Sequence, residues 1–172
     1  MISVIVTAFG ESSTMGRAIA AFLSQMPPDA ELLGVCPDPE TAAVVEDYSH
    51  RFPAVRYVED SGRGKPAALN VALQAARGDV VVLSDGDVWV ANHALGALLA
   101  PFDDPRVGAV SGRPVSVSPR DTVLGYWSHL LTHAGAHATR QARDDSGDFL
   151  VCSGYLFAFR RGLIDLVPED AL

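Results

Sequence analysis

A chain of 172 residues, 48% of them hydrophobic, is long enough to bury one full core without disulfide or metal staples. A formal charge of −8 excludes functions that rest on neutralising a phosphate backbone, so no nucleic-acid partner is expected. Cys36 and Cys152 are too few and too far apart for a disulfide framework or a metal-ligand pair, and they suit a reducing cytoplasm.

Short β-branched runs alternate along the chain with helical patterns, the signature of a mostly parallel sheet covered by helices. Met1 to Phe9 is apolar but carries no basic leader region, so Ile2 to Phe9 reads as the first strand. Ser12 or Ser13 then caps a helix with Met15, Ile19, Phe22 and Leu23 on one side, ending before Pro27-Pro28. Leu32 to Cys36 is a second strand, and Pro39 opens a helix through Ala42, Val45 and Tyr48. Val55 to Val58 is a third strand. A helix opened by Gly64-Lys65-Pro66 carries Ala67, Leu69, Leu73 and Ala76 and closes on Gly78 as a left-handed cap. Val80 to Leu83 is continuously apolar, as a strand buried on both faces should be.

Farther on, His93 to Phe102 reads as a helix and Val107 to Val110 as a strand. Asp121 to Arg143 reads as one long helix capped by Ser118 or Asp121, with Trp127, Leu130, Leu131 and Ala134 facing inward. The polar stretch Arg140 to Asp148 is the expected mobile loop. Phe149 to Phe159 is a strand, and Gly162 to Val167 a short helix. No apolar run reaches the roughly 18 residues that would span a bilayer, so any membrane contact is expected to be peripheral.

The sharpest chemical feature is Ser84-Asp85-Gly86-Asp87, directly after the fourth strand. Ligands of open α/β sheets gather at the carboxyl ends of strands. Alternation along an extended chain sends Asp85 and Asp87 to one side, where two hard oxygen donors suit Mg²⁺ or Mn²⁺ beside a diphosphate. Gly86 between them would let a ligand approach the backbone. Taken by itself, Asp-Gly-Asp is also an ordinary turn leaving a strand.

The order Gly64-Lys65-Pro66-Ala67-Ala68-Leu69-Asn70, then Ala75-Ala76-Arg77-Gly78-Asp79, then Asp85-Gly86-Asp87 resembles glycosyltransferase family 2. The resemblance extends to the first strand, to Asp38, and to Ser153 through Arg161. It implies an α/β, GT-A-type nucleotide-diphospho-sugar transferase fold, three layers around a mostly parallel central sheet. One domain over 1–172 is implied, with a nucleotide-sugar-binding part, 1–117, and the start of an acceptor-side part, 118–172, whose C-terminal portion is expected to be missing.

The resemblance also implies roles. Thr7, Ala8, Glu11, Asp38, Lys65, Asn70, Asp85 and Gly86 would bind the nucleotide sugar, and Asp85 and Asp87 the metal. Ser153 and Gly154 would line the acceptor side of the sugar, although Gly154 is equally explained by close packing inside a strand. The implied reaction is an inverting transfer from a nucleoside diphosphate sugar, a UDP-sugar, to a glycan, lipid or polymer acceptor in the cytoplasm or at the cytoplasmic face of a membrane. The general base is expected beyond the Ser-Gly strand: either Asp170, or a residue past Leu172, which is favoured. Strand one lacks the family's proline and asparagine, and Cys36-Pro37-Asp38-Pro39 replaces its usual acidic turn, so the metal pair is better defined than the base-binding end.

Other signals carry less. His129, His133 and His137 would form one stripe, but no Glu-x-x-His context accompanies them. Gly62-Arg63-Gly64-Lys65 lacks the Ser or Thr that a P-loop requires after its lysine. There is no Gly-x-Ser-x-Gly elbow, and no opposed carboxylate pair of a glycosidase is identified. The competing readings are a non-catalytic nucleotide-sugar-binding module and, more remotely, a sugar-1-phosphate nucleotidyltransferase, for which the loop after strand one is too little basic.

Overall fold

The computed structural model describes residues 1–147 and 152–168. Four strands, β1 (Ile2–Thr7), β2 (Glu31–Cys36), β3 (Val55–Glu59) and β4 (Val80–Asp85), run parallel. Two more, β5 (Ala109–Ser111) and β6 (Leu156–Arg160), complete a sheet of order β3-β2-β1-β4-β6-β5, in which β6 is antiparallel to both of its neighbours. All four parallel strands therefore end at one edge. The order reverses between β1 and β4, where a crevice opens outside the strand ends.

Alternation along the strands divides the core in two. Val4, Val6, Leu32 and Val82 pack with Met15, Ile19 and Phe22 of α1 (Ser12–Leu23), Val45 of α2 (Pro39–Arg51) and Leu95 and Leu98 of α4 (Ala94–Leu99). Ile5, Leu33, Val35, Val81 and Leu83 face the other way, onto Ala68 and Ala72 of α3 (Lys65–Ala75). The result is helix, sheet, helix, the expected three-layer α/β arrangement. At Gly34 the α2 layer presses on the sheet: a Cβ there would lie 2.5 Å from Val45 Cγ1.

The amino edge of the sheet is tied by one buried carboxylate. Glu31 accepts hydrogen bonds from Ser3 Oγ at 2.7 Å, the Arg77 N–H at 2.7 Å and Arg56 Nη1 at 2.8 Å. Burial opposes its ionisation, yet these donors together hold Glu31 below the usual carboxylate range. The sequence expectation of a left-handed cap at Gly78 is corrected here. Helix α3 ends on Ala76 in extended backbone, and Gly78 is needed because a Cβ would stand 2.4 Å from the Ser3 nitrogen.

Several other expectations change. Helix α1 starts at Ser12 with Glu11 at its cap and no side-chain cap bond, whereas Asp38 does cap α2 by accepting from the Thr41 N–H at 2.9 Å. The expected helix from His93 is α4 followed by a 3-10 turn, Ala100–Asp103, because Pro101 cannot continue the α-helical bonding. The fifth strand is shifted to Ala109–Ser111. The single long helix is instead α5 (Val123–Leu130), a π-helical stretch Leu131–His137 and α6 (Ala138–Asp145), capped by Thr122 through its bond from the Gly125 N–H.

Trp127, Leu130, Leu131 and Ala134 do not face inward; all are exposed among the described residues. Helix α6 also occupies most of the segment expected to be a mobile loop. The last strand begins only at Leu156, after a bend at Gly154-Tyr155; residues 149–151 of the expected strand lie outside the described residues. Gly162 turns the chain at φ +92, and 163–168 form no helix. Strand β6 sits between β4 and β5, so the segment after 117 shares the central sheet with the segment before it. Among the described residues no helix is long and apolar enough to cross a membrane.

Candidate nucleotide-sugar site

The crevice at the carboxyl edge is a cavity of about 450 Å³. Strand β1 delivers Thr7, Ala8, Phe9 and Glu11 to it, α3 delivers Lys65, and β4 with the turn after it delivers Asp85 and Asp87. Register makes this assembly: Thr7 pairs with Asp85 across the β1–β4 ladder, and Thr7 Oγ1 lies 3.2 Å from Asp85 Oδ1. The turn is fixed by the Gly86 N–H donating to the Thr7 carbonyl at 2.9 Å. Lys65, at the start of α3, donates from Nζ to Asp85 Oδ1, forming an ion pair in the cavity wall.

Glu11 adds a further carboxylate beside Asp85 and Asp87. Its Oε2 is buried without a hydrogen-bond partner among the described residues. Desolvation, and then the negative charges of Asp87 and Asp85, raise its pKa above the ordinary value, against the opposing pull of Lys65. The expected role of Gly86 as a ligand's point of approach is corrected by this side chain. A Cβ on Gly86 would meet Glu11 Oε2 at 2.6 Å and Ala8 Cβ at 2.9 Å, so the glycine makes room for protein.

Four carboxylates, Glu11, Asp60, Asp85 and Asp87, stand against one lysine among the described lining residues, an excess of negative charge that a hard cation would offset. No group of three or more His, Cys, Asp or Glu side chains among the described residues forms a metal cage by itself. That fits a cation held by one or two carboxylates and completed by water and a diphosphate, the habit of Mg²⁺ in nucleotide sites. Asp85 and Asp87 are two of the carboxylates that line the cavity.

Asp38 occupies the neighbouring strand end. Its Oδ2 accepts from the Gly10 N–H at 2.9 Å while Oδ1 caps α2, and Thr41 Oγ1 accepts from the Glu11 N–H at 3.0 Å. Slight burial is outweighed by the bonds from Gly10 and Thr41, which hold Asp38 below the usual carboxylate range. Asp38 thus pins the β1–α1 loop that carries Glu11.

The structure does not bring every expected residue to the cavity. Asn70 is turned away from it: its Nδ2 donates to the Val167 carbonyl at 2.9 Å and its Oδ1 accepts from the Val167 N–H at 2.7 Å. This clamp on the chain after β6 replaces the expected contact with nucleotide. Ser153 is buried, with its N–H donating to Ser111 Oγ at 2.7 Å, and neither it nor Gly154 lines the cavity. Among the described residues close packing does not explain Gly154, because a Cβ there would meet nothing of theirs within 4 Å. Asp170 lies outside the described residues.

One part of the wall went unread in the sequence. The loop between β3 and α3 contributes Asp60, Gly62 and Gly64. Asp60 Oδ1 accepts from the Gly62 N–H at 2.5 Å, and both glycines adopt positive φ, +68 and +99. The Gly-x-Gly spacing was the available signal, obscured by its similarity to a P-loop.

The mostly parallel sheet, with carboxylates and a lysine at its switch point, has the GT-A-type nucleotide-diphospho-sugar transferase fold of the solved structures it resembles. A mannosyltransferase of Pyrobaculum calidifontis, in complex with GDP-Man and Mn²⁺, superposes with a TM-score of 0.73 at 28% identity, over 98% of this chain and 48% of that one. Glucosyl-3-phosphoglycerate synthase of Mycobacterium tuberculosis, in complex with UDP, shares the fold at TM-score 0.62 and 20% identity, over 94% of this chain and 57% of that one.

Residues 1–167 match the family described as Glycosyltransferase like family 2, and the chain belongs to it. Among its relatives, hyaluronan synthase of Streptococcus pyogenes is 29% identical over 102 residues, 59% of this chain and 24% of the synthase. The glycosyltransferase EpsJ of Bacillus subtilis is 28% identical over 95 residues, 54% of this chain and 27% of EpsJ. The chain thus spans about a quarter of the length of these curated relatives.

Proposed function

We propose that the protein transfers a sugar, with inversion, from a nucleoside diphosphate donor to a glycan, lipid or polymer acceptor, and that the described cavity binds the donor. The carrying observation is the convergence of Asp85, Asp87, Glu11 and Lys65 in one cavity at the point where the strand order reverses. Asp85 and Asp87 would hold Mg²⁺ or Mn²⁺, which supplies charge neutralisation at the diphosphate. Thr7, Ala8 and the loop pinned by Asp38 receive the nucleoside. Lys65, ion-paired with Asp85 in the cavity wall, would offer its ammonium to phosphate oxygens.

Attack at the anomeric carbon requires a carboxylate to take the acceptor's proton. We assign that role to a carboxylate after β6, for which this sequence offers Asp170, and the acceptor side to Ser153 and Gly154 ahead of β6. On this reading 1–117 binds donor and the segment from 118 begins the acceptor side, in the cytoplasm or at a membrane's cytoplasmic face. The donor is taken as a UDP-sugar; solved relatives hold GDP-Man in one case and UDP in another, so both nucleotides belong in the test. Calorimetry with UDP or GDP, with and without Mn²⁺, should show metal-dependent binding that Asp87→Ala removes. Absence of binding by the wild-type protein would refute the donor site.

A further inference from the structure

A second cavity, about 320 Å³, lies outside the edge strand β5, under the π-helical stretch and α6. Its wall carries Arg113, His137 and Arg140, with Asp144 the one carboxylate among the described lining residues. Arg140 Nη2 is buried without a hydrogen-bond partner among the described residues. A guanidinium nitrogen removed from water and left unbonded is costly, so it calls for an acceptor that enters from outside. Asp144 makes no ion pair with either arginine among the described residues.

The surroundings concentrate positive charge in a chain whose formal charge is −8. Arg113 Nη2 contacts His133 Nδ1 at 3.2 Å, which directs one face of that guanidinium into the same group. Burial, followed by the charges of Arg113, His133 and Arg140, holds His137 below the usual imidazole range, so this ring stays neutral and available as a hydrogen-bond donor at neutral pH. Two guanidinium forks on one cavity match the planar oxygens of a carboxylate or the oxygens of a phosphate.

Its place on the sheet gives the cavity a role. Ser111 is aligned with Phe157, and Phe157 with Leu83, so the chain leaving β5 toward Arg113 emerges at the same edge as Asp85 and Asp87. Two strand spacings separate them, roughly 10 Å. We infer that the cavity between β5 and α6 binds the oxyanion group, phosphate or carboxylate, of the acceptor substrate, with Arg140 and Arg113 as its ligands. The acceptor part of this inference rests on the transferase reading above; the oxyanion site itself does not.

The test uses inorganic phosphate and acetate as probes and the Arg140→Gln and Arg113→Gln variants. The expected result is a saturable rise in Tm of the wild-type protein with one of the two anions, which identifies the oxyanion class. Arg140→Gln should lose that rise and, relieved of an unbonded cation, should match or exceed the wild-type Tm in anion-free buffer. Equal stabilisation of wild type and Arg140→Gln, or none of the wild type by either anion, would overturn the site. Binding of UDP with Mn²⁺ is followed in parallel. Its retention in both variants keeps the two cavities separate, and its selective loss in Arg140→Gln would overturn the acceptor assignment. Failure of the wild-type protein to bind UDP or GDP would instead overturn the transferase reading, whatever the anions do.

Discussion

Two stretches of this chain use apolar residues in opposite ways. Up to β4, strands and helices alternate and the apolar faces of the sheet are packed: Ile5, Phe22, Leu32 and Leu33 are fully buried. From 115 to 131, Val117 is 84% exposed, Leu124 84%, Trp127 52% and Leu131 61%. The comparison shows that a periodic apolar stripe specifies a helix but not what the stripe will touch. The cavity lined by Asp85 and Asp87 sits on the first kind of scaffold, whose strand ends are fixed by packing on both faces.

Truncations should expose this contrast most strongly. Phe22→Ala is expected to cost about 3–5 kcal/mol and Leu33→Ala about 2–5 kcal/mol, whereas Leu124→Ala should stay within about 0.5 kcal/mol, all read from urea unfolding. Comparable losses at Leu124 and Leu33 would dissolve the distinction. Glycines sharpen it. Gly78→Ala forces a Cβ onto the β1 backbone and should lose about 1–3 kcal/mol or more, while Gly135, with none of the described residues within 4 Å of an added Cβ, should tolerate Ala or gain up to about 1 kcal/mol.

Charge in the first stretch gives a smaller, pH-dependent effect. Because the folded pKa of Glu31 lies below its ordinary value of 4.5, its contribution is present above that value and is lost as pH falls through the folded pKa. Glu31→Gln should therefore cost about 1–3 kcal/mol at neutral pH and flatten the acid limb of the stability curve. Glu11 has the opposite sign, with its folded pKa raised. Glu11→Gln should slightly raise Tm at neutral pH while weakening nucleotide binding, the mark of a site held together at some expense to the fold. A lowered Tm would place Glu11 among the structural ties instead.

Much of the first stretch was legible because its signals agree. The continuous run Val80-Val81-Val82-Leu83 marked a doubly covered strand, and Asp85 and Asp87 at its end marked the cavity. What stayed hidden depends on tertiary contact. Gly78 looked like a helix cap, yet it answers to the backbone of β1, 75 residues earlier in the chain at Ser3. Asn70 looked like a ligand for nucleotide, but its amide is used on Val167, a pairing that no local pattern announces. The helix after 121 was read correctly as helical and wrongly as buried, since periodicity carries no record of an absent partner. Asp60 and the Gly62-Arg63-Gly64 turn escaped because a loop's contribution to a wall appears only once its flanking elements are placed.

The central claim is that Asp87, with Asp85, holds a divalent ion only together with a nucleoside diphosphate. Electron paramagnetic resonance of Mn²⁺ tests it directly by counting the free ion. With wild-type protein, addition of UDP or GDP should deplete the free-ion signal beyond what nucleotide alone removes, and Asp87→Ala should abolish that excess. A free-ion signal identical with and without wild-type protein, or an excess undiminished in Asp87→Ala, would contradict the account.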